Sequence, residues 1–189
     1  MPHQTDQAGG HAAELSDQDL RVRALATIAT ERGRVEPAVL DSFIDVYVAR
    51  IVPHHDAAPA GDLVDPAANE AALGARAMTA IPRDADGPLF RARWEALAFV
   101  LAMMLEQRGV FTWTEWALAF GTEIRRVTAG GNGAAAPYYE AWLSALERIT
   151  VGKGIADQAT LTRYQHAWDQ AAARTPHGSA IELRPDDFA

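Results

Sequence analysis

One arrangement of residues occurs three times in this 189-residue chain and restricts what it can fold into. In each copy a helix-forming stretch ends in a basic residue and a glycine, a β-branched residue follows, and the next helix start lies within about four residues. Because these links are so short, consecutive helices form antiparallel or angled hairpins. The three copies are TERGRVEP from Thr30, LEQRGVFTWTE from Leu105 and TVGKGIADQ from Thr150.

Residues that favour the start of a helix lie just before the predicted helices. Ser16 precedes Asp19 by three positions, the spacing of a capping box, in which each side chain binds the other residue's backbone N–H. Thr112 and Glu115 repeat that spacing, and Asp157 stands before the last helical stretch. No segment shows the alternating β-branched pattern of a strand. The predicted fold class is all-α: a small helical bundle of antiparallel and angled helix hairpins with an N-terminal helical arm.

The helical patterns divide the chain into an arm and a head. Gly33, Pro53 and Pro82 end three predicted arm helices, and the charged turn RDADGP separates the arm from the head. Within the head, the glycine-rich stretch at 128–136 predicts a flexible connection. We therefore predict a disordered N-terminus (1–15), a helical arm (16–82), a helical head (83–175) and a C-terminal tail (176–189).

Residues 88–155 contain most of the large apolar side chains that can fill a core, including four of the five tryptophans. Helical periodicity places Leu101, Phe120, Trp142 and Leu146 on inward faces. We predict that these four side chains lie in the core of the head.

The same block contains more aromatic rings than one small core readily encloses. Tryptophan and tyrosine are enriched where proteins meet, although core packing remains the alternative for each ring. Tyr138 and Tyr139 are adjacent, so both cannot face inward. The residues predicted to contact a partner are Trp94, Trp113, Trp116, Tyr138 and Tyr139.

Charge and hydropathy exclude several classes of partner. The formal net charge is −8 with no basic cluster, which argues against a nucleic-acid or anionic-membrane binder. We interpret the arginine pairs at 21 and 23, 91 and 93, and 125 and 126 as solvated helix faces. No long apolar run and no signal-peptide pattern are present, so we predict a cytoplasmic protein.

The sequence offers no convincing catalytic or metal site of its own. Without cysteine there is no thiol nucleophile and no thiolate metal ligand. His166 has only Asp169 at a helical ligand spacing, and the loop pair His54 and His55 beside Asp56 is interpreted as solvated. We therefore predict no catalytic residue, no cofactor and no metal ligand in this chain.

Carboxylates are numerous, but a catalytic pair has to be desolvated and convergent. Helical periodicity places most of the head's glutamates on the polar sides of their helices. These glutamates are Glu95, Glu106, Glu115, Glu123, Glu140 and Glu147.

The head resembles a known family. FTWTEWA, YYEAWLSALER and TPHGSAIEL, within a stretch covering roughly residues 82–183, resemble the nitrile hydratase accessory (activator) proteins. Those proteins are similar to the N-terminal domain of the nitrile hydratase β subunit. The resemblance implies a helical partner of the metal-binding α subunit.

The arm carries a second resemblance. RVRALATIATERGRVEPAVLDSFIDVYVARIVP, followed by AGDLVDPAANEAALGARAMTAI, is similar to the N-terminal extension of the nitrile hydratase α subunit. In the α subunit this extension precedes a cysteine-rich loop of the V-C-x-L-C-S-C type that holds cobalt or iron. This chain has no such loop, which implies that it is not catalytic alone.

Two features distinguish an accessory protein from a catalytic β subunit. The β subunit has an arginine on the helix after the glycine stop that contacts the oxidised cysteines of the α subunit. Aligned through Gly109 and Glu115, this chain has Ala117 at that position. The ending TPHGSAIEL is also typical of the accessory proteins, whereas a β subunit would continue into a β-barrel.

The resemblance implies an escort that binds the α subunit and supports cobalt insertion and cysteine oxidation there. The cobalt would belong to that partner, and the associated activity is the hydration of a nitrile to an amide. Further candidate partners are the β subunit and homologous small subunits. The alternative is a β-like structural subunit of a multi-subunit nitrile hydratase or thiocyanate hydrolase.

Overall fold

The computed structural model describes residues 14–38, 40, 83–84, 87–88, 90–129 and 137–189. The rest of the predicted second arm helix, the third arm helix and the loop with His54 and His55 lie outside the described residues. So do most of the glycine-rich connection and residues 1–13 of the N-terminus predicted to be disordered.

The described chain is helical, and the predicted all-α class is confirmed. Its only strands are two residues long each and pair antiparallel, with Arg83 opposite Pro88, where the sequence predicts a charged turn. The described elements are α1 (Asp17–Glu31), β1 (Arg83–Asp84), β2 (Gly87–Pro88), α2 (Arg93–Gln107), α3 (Trp113–Ala129), α4 (Pro137–Gly152), α5 (Gln158–Arg174) and a 3-10 helix (Pro185–Phe188).

The predicted helix starts are confirmed by their hydrogen bonds. Ser16 Oγ accepts from the Asp19 N–H at 3.1 Å, while the Asp19 carboxylate accepts from the Ser16 N–H at 3.3 Å. The Thr112 N–H donates to the Glu115 carboxylate at 2.8 Å, completing the second capping box. Asp157 caps α5 by accepting from a backbone N–H of its first turn at 2.7 Å. Each bond satisfies a backbone donor that the helix itself leaves unpaired.

The thrice-repeated helix end has one geometry in all three places. Gly33, Gly109 and Gly154 have φ angles of 64°, 67° and 68°, the left-handed region that disfavours a side chain. In each copy the glycine N–H and the next N–H donate backward to carbonyls of the last turn, which is the Schellman motif. The β-branched or aromatic residue that follows enters the core, as Val35, Phe111 and Ile155 do.

Helix α1 lies in the core of the head. It packs against α2, α4 and α5, and its buried side chains belong to the same hydrophobic cluster as those of the head helices. Several of these side chains are alanines, whose small size lets neighbouring helices approach closely. The buried residues of α1 are Val22, Ala24, Leu25, Ala26, Ile28 and Ala29.

Helices α2 and α4 supply the centre of this core. Leu101, Trp142 and Leu146 are fully buried and Phe120 is almost so, which confirms the four predicted core residues. Helix α2 is buried around most of its circumference, since Ala96, Val100 and Ala102 are buried as well as Leu101. A single periodic stripe underestimates the burial of a helix that has neighbours on several sides.

The C-terminal tail packs along α5. Arg174 donates to both carboxylate oxygens of Asp187 at 2.8 Å, and Asp187 is 4% exposed. The Phe188 ring lies 4.9 Å from the Tyr164 ring, centroid to centroid, and the Arg163 guanidinium lies over both rings. The 3-10 helix is therefore held by a bidentate ion pair, an aromatic contact and the Arg163 guanidinium over the Phe188 ring.

Replacing Asp187 by asparagine is expected to remove a pH-dependent contribution to stability. The Arg174 hydrogen bonds lower the pKa of Asp187 to about 2, with a further bond from the Arg184 N–H. Because this pKa is depressed, the stabilisation is present above the ordinary aspartate pKa of about 3.9 and is lost as the pH falls towards 2. As the pH falls from about 3.9 towards 2, the thermal unfolding midpoint of the Asp187→Asn variant should therefore decrease less than the midpoint of the parent protein. Asp186→Asn, at an exposed neighbouring position, is the control and should keep the parent's slope.

No helix among the described residues is both long and apolar enough to cross a membrane.

Candidate functional site

The five aromatic residues predicted to contact a partner do not share one environment. Trp116 and Tyr139 are buried, whereas Trp94, Trp113 and Tyr138 are half-buried and packed against the core. Only these last three rings present surface to solvent. Partner contact stays a prediction for all five.

Four of these rings gather around Trp142 on the α3–α4 hairpin. The Trp116 and Tyr138 centroids lie 4.6 Å and 6.1 Å from the Trp142 centroid. Trp113 stands edge-on to Trp116 at 6.4 Å, and Tyr138 stands edge-on to Tyr139 at 5.2 Å. Tilted and edge-on pairs are the favourable aromatic geometries. The cluster therefore joins α3 to α4 and fixes the position of the outer α3 surface.

The two central indoles differ in their hydrogen bonding. Trp142 Nε1 donates to the Ala98 carbonyl at 3.2 Å, which ties α4 to α2. Trp116 Nε1 is buried without an acceptor among the described residues. A buried unpaired donor costs about 1–3 kcal/mol, so Trp116 contributes through its ring contacts rather than its N–H.

Helix α3 has one exposed large apolar side chain, beside the aromatic cluster. Leu118 is 64% exposed, while Ala117 and Gly121, one turn apart, are half-buried. We call Ala117, Leu118 and Gly121, with Trp113 at the N-terminal edge, the Leu118 face. A Cβ at Gly121 would lie 3.4 Å from the Arg125 guanidinium, so the Arg125 side chain lies over the helix backbone there.

A charged cavity, widely open to solvent, lies between four helices. Its volume is about 360 Å³. Residues of α1, α3, α4 and α5 line it, and we call it the arginine cavity. Its charged and hydroxyl side chains are Arg21, Glu123, Arg126, Ser144, Glu147 and Arg148.

Ion pairs join the helices across the arginine cavity. Arg21 on α1 binds both carboxylate oxygens of Glu147 on α4, at 2.9 Å and 2.6 Å. These hydrogen bonds raise the pKa of Arg21 against the opposing effect of burial. Glu123 on α3 is 2% exposed and pairs with Arg148 at 2.5 Å and with Arg126 at 2.9 Å.

Sequence reasoning missed this cluster. Helical periodicity predicts Glu123 on the polar side of its helix, and that prediction is wrong: the carboxylate is buried, with two arginines to neutralise it. Glu95 is also buried, and its carboxylate accepts the Arg91 N–H at 2.6 Å. Glu123 and Arg126 are three positions apart, which is the spacing of an ion pair on one helix. The second partner, Arg148 on α4, cannot be recognised from the sequence around Glu123.

The interpretation of the first arginine pair as a solvated face is also wrong. Arg21 is held in the cavity by Glu147. Arg23 lies over the Trp168 ring at 5.0 Å, and desolvation by burial lowers its pKa. Both arginines lie where α1 contacts α4 and α5. They are covered because these helices pack against α1.

The described histidines do not form a metal site. His166 and His177 are both exposed. Within the described ranges, no group of three or more histidine, aspartate or glutamate side chains is placed to hold a metal ion.

Comparison with known proteins identifies one family. The family model described as nitrile hydratase beta subunit, N-terminal, matches residues 69–184, well over half of the chain. No curated protein and no solved structure matches the chain. The matched range contains the Leu118 face and most of the arginine cavity but not α1.

Proposed function

Because this chain belongs to the nitrile hydratase β subunit N-terminal family, we propose that it is an accessory protein that binds the nitrile hydratase α subunit. In this proposal it supports cobalt insertion and cysteine oxidation in that partner and is not itself the catalyst. The observation that carries the proposal is the family match over residues 69–184, and we assign the exposed Leu118 on α3 of that domain to the contact with the partner.

The Leu118 face has the composition of a docking surface. Leu118 offers apolar area, and the small side chain of Ala117 lies beside it. The half-buried Trp113 lies at its edge. Rings supported by a packed aromatic cluster lose little side-chain entropy on binding, which favours their use at interfaces.

Ala117 favours an escort over a catalytic subunit. By the resemblance described above, a β subunit has an arginine at this position, where it contacts oxidised cysteines of the α subunit. An alanine supplies no charge-assisted hydrogen bond to such a site. A partner held without that bond can be released more readily, as an escort requires.

We also propose that Trp94 and Tyr138 extend the partner contact beyond the Leu118 face. Both rings are half-buried and retain exposed surface. Trp116 and Tyr139 would act indirectly, because they are buried and position the outer residues.

The direct test is to produce the α subunit with and without this chain. The expected result is a higher cobalt content and a higher rate of nitrile hydration when the chain is present, both measured after the β subunit is supplied. Equal cobalt content and equal rates in the two preparations would contradict the proposed function.

Leu118→Lys tests the docking surface. A lysine at the centre of the face is expected to weaken the complex at least about tenfold, because the apolar burial of a leucine contributes about 1.5–3 kcal/mol. The measurement is the dissociation constant for the α subunit. His166→Lys, at an exposed position on α5, adds the same charge elsewhere and should leave that constant unchanged. Equal weakening by both substitutions would point to net charge rather than the Leu118 face.

One alternative rests on the same family match. Since the matched domain is that of a β subunit, the chain also fits a β-like structural subunit of a multi-subunit nitrile hydratase or thiocyanate hydrolase. A permanent subunit would remain in the purified active enzyme in a fixed ratio, whereas an escort would be absent from it. Quantifying this chain in the active enzyme separates the two functions.

A further inference from the structure

The arginine cavity has a surplus of hydrogen-bond donors. All four carboxylate oxygens of Glu123 and Glu147 already accept from a guanidinium. Each of the three arginines carries five N–H donors in a fixed fork, more than these oxygens can accept. The groups left for a ligand are therefore mainly donors, with the Gln158 side chain also lining the cavity.

The buried carboxylate of Glu123 holds two of these arginines in place. Arg126 and Arg148 are 69% and 57% exposed, so without a partner they would sample many rotamers. Glu123 accepts from Arg126 through one oxygen and from Arg148 through the other, which brings the two guanidiniums to one side of the cavity. Side chains ordered in advance lose less entropy when a ligand binds.

The cavity also differs in charge from the rest of the protein. The chain as a whole has a formal net charge of −8, but three arginines and two glutamates give the cavity lining a charge of +1. Bidentate arginine contacts favour carboxylate and phosphate groups over other ligands. Chloride has a single acceptor atom, so it cannot form the two parallel N–H···O bonds of a bidentate arginine contact.

From these features we infer that the arginine cavity binds a small, multiply charged oxyanion of the phosphate class. Its oxygens would accept from the N–H groups of Arg126 and Arg148 that Glu123 does not use. Arg21, held by Glu147 and donating to Ser144 at 3.1 Å, forms the wall contributed by α1. The site thus combines α1, which lies outside the family match, with α3 and α4 of the matched domain.

Titration of the full-length protein with sodium phosphate tests this inference. At constant ionic strength, phosphate is expected to shift the arginine Nε–H signals in NMR spectra saturably and to raise the thermal unfolding midpoint, whereas sodium chloride should do neither. A parallel titration with sodium succinate distinguishes phosphate-class ligands from dicarboxylates. Identical responses to phosphate and chloride, or tighter binding of succinate than of phosphate, would overturn the inference.

Arg148→Gln tests the assigned residues. Loss of a charged donor is expected to raise the dissociation constant for phosphate at least about tenfold, while Arg126 continues to neutralise Glu123. Arg93→Gln, at an exposed position on α2, is the matched control and should keep the parent's constant. Circular dichroism and the unfolding midpoint without phosphate establish that each variant is folded. A folded Arg148→Gln variant with the parent's phosphate affinity would also overturn the inference.

Discussion

Replacing Trp142 by alanine is expected to lower the free energy of unfolding by about 3–5 kcal/mol, the usual cost of removing a buried tryptophan or phenylalanine side chain. Trp142 is fully buried, and its ring contacts those of Phe99, Trp116, Phe120 and Tyr138. Removing it opens a cavity between α2, α3 and α4. Because a domain of this kind is stable by only about 5–15 kcal/mol, one substitution removes a large part of the total. Urea unfolding followed by circular dichroism measures the change.

Trp142→Phe is the matched control for this substitution. Phenylalanine retains most of the apolar contact but loses the indole N–H that donates to Ala98 at 3.2 Å. Its expected cost is smaller, because only part of the ring volume and one hydrogen bond of about 0.5–1.5 kcal/mol are lost. Equal destabilisation by alanine and phenylalanine would contradict the view that packing volume dominates at this position.

Replacing Leu25 by alanine is expected to destabilise the head by about 2–5 kcal/mol, although Leu25 lies outside the residues that match the family. Leu25 is 2% exposed on α1, which packs against α2, α4 and α5. The substitution therefore leaves a void in the core shared by these helices. The free energy of unfolding should fall while the transition remains a single cooperative step.

Leu20→Ala provides the comparison on the same helix. Leu20 is half-buried, so the same change in side chain should cost clearly less than at Leu25. If α1 were a separate arm, the two substitutions would have similarly small effects on the head, or the unfolding would split into two transitions. Either result would contradict a shared core.

Local features of the fold could be predicted because their physics is local. The capping boxes at Ser16 and Thr112 depend on residues three positions apart. The helix ends at Gly33 and Gly109 depend on a backbone conformation that glycine adopts without a steric penalty. Each of these signals involves fewer than about six consecutive residues, and the structure confirms them.

The candidate surfaces could be predicted only in part. The large number of aromatic residues predicted a partner contact on the α3–α4 hairpin. In the structure Trp116 and Tyr139 are buried, whereas the other predicted rings are partly exposed. Leu118 has no distinguishing sequence signal, because its exposure depends on which face of α3 meets the core. Burial is a property of packed helices rather than of one helix's period.

The sequence by itself determined the helical class, the helix boundaries in the described head and the principal core residues, because glycine conformation, capping and helical periodicity act over a few neighbouring residues. The tertiary structure alone decided that α1 completes the core of the head. It also decided that Glu123 is buried between Arg126 and Arg148, and that Arg21 reaches Glu147. These pairs join residues on different helices, and long-range contacts of this kind depend on how whole helices pack rather than on local spacing.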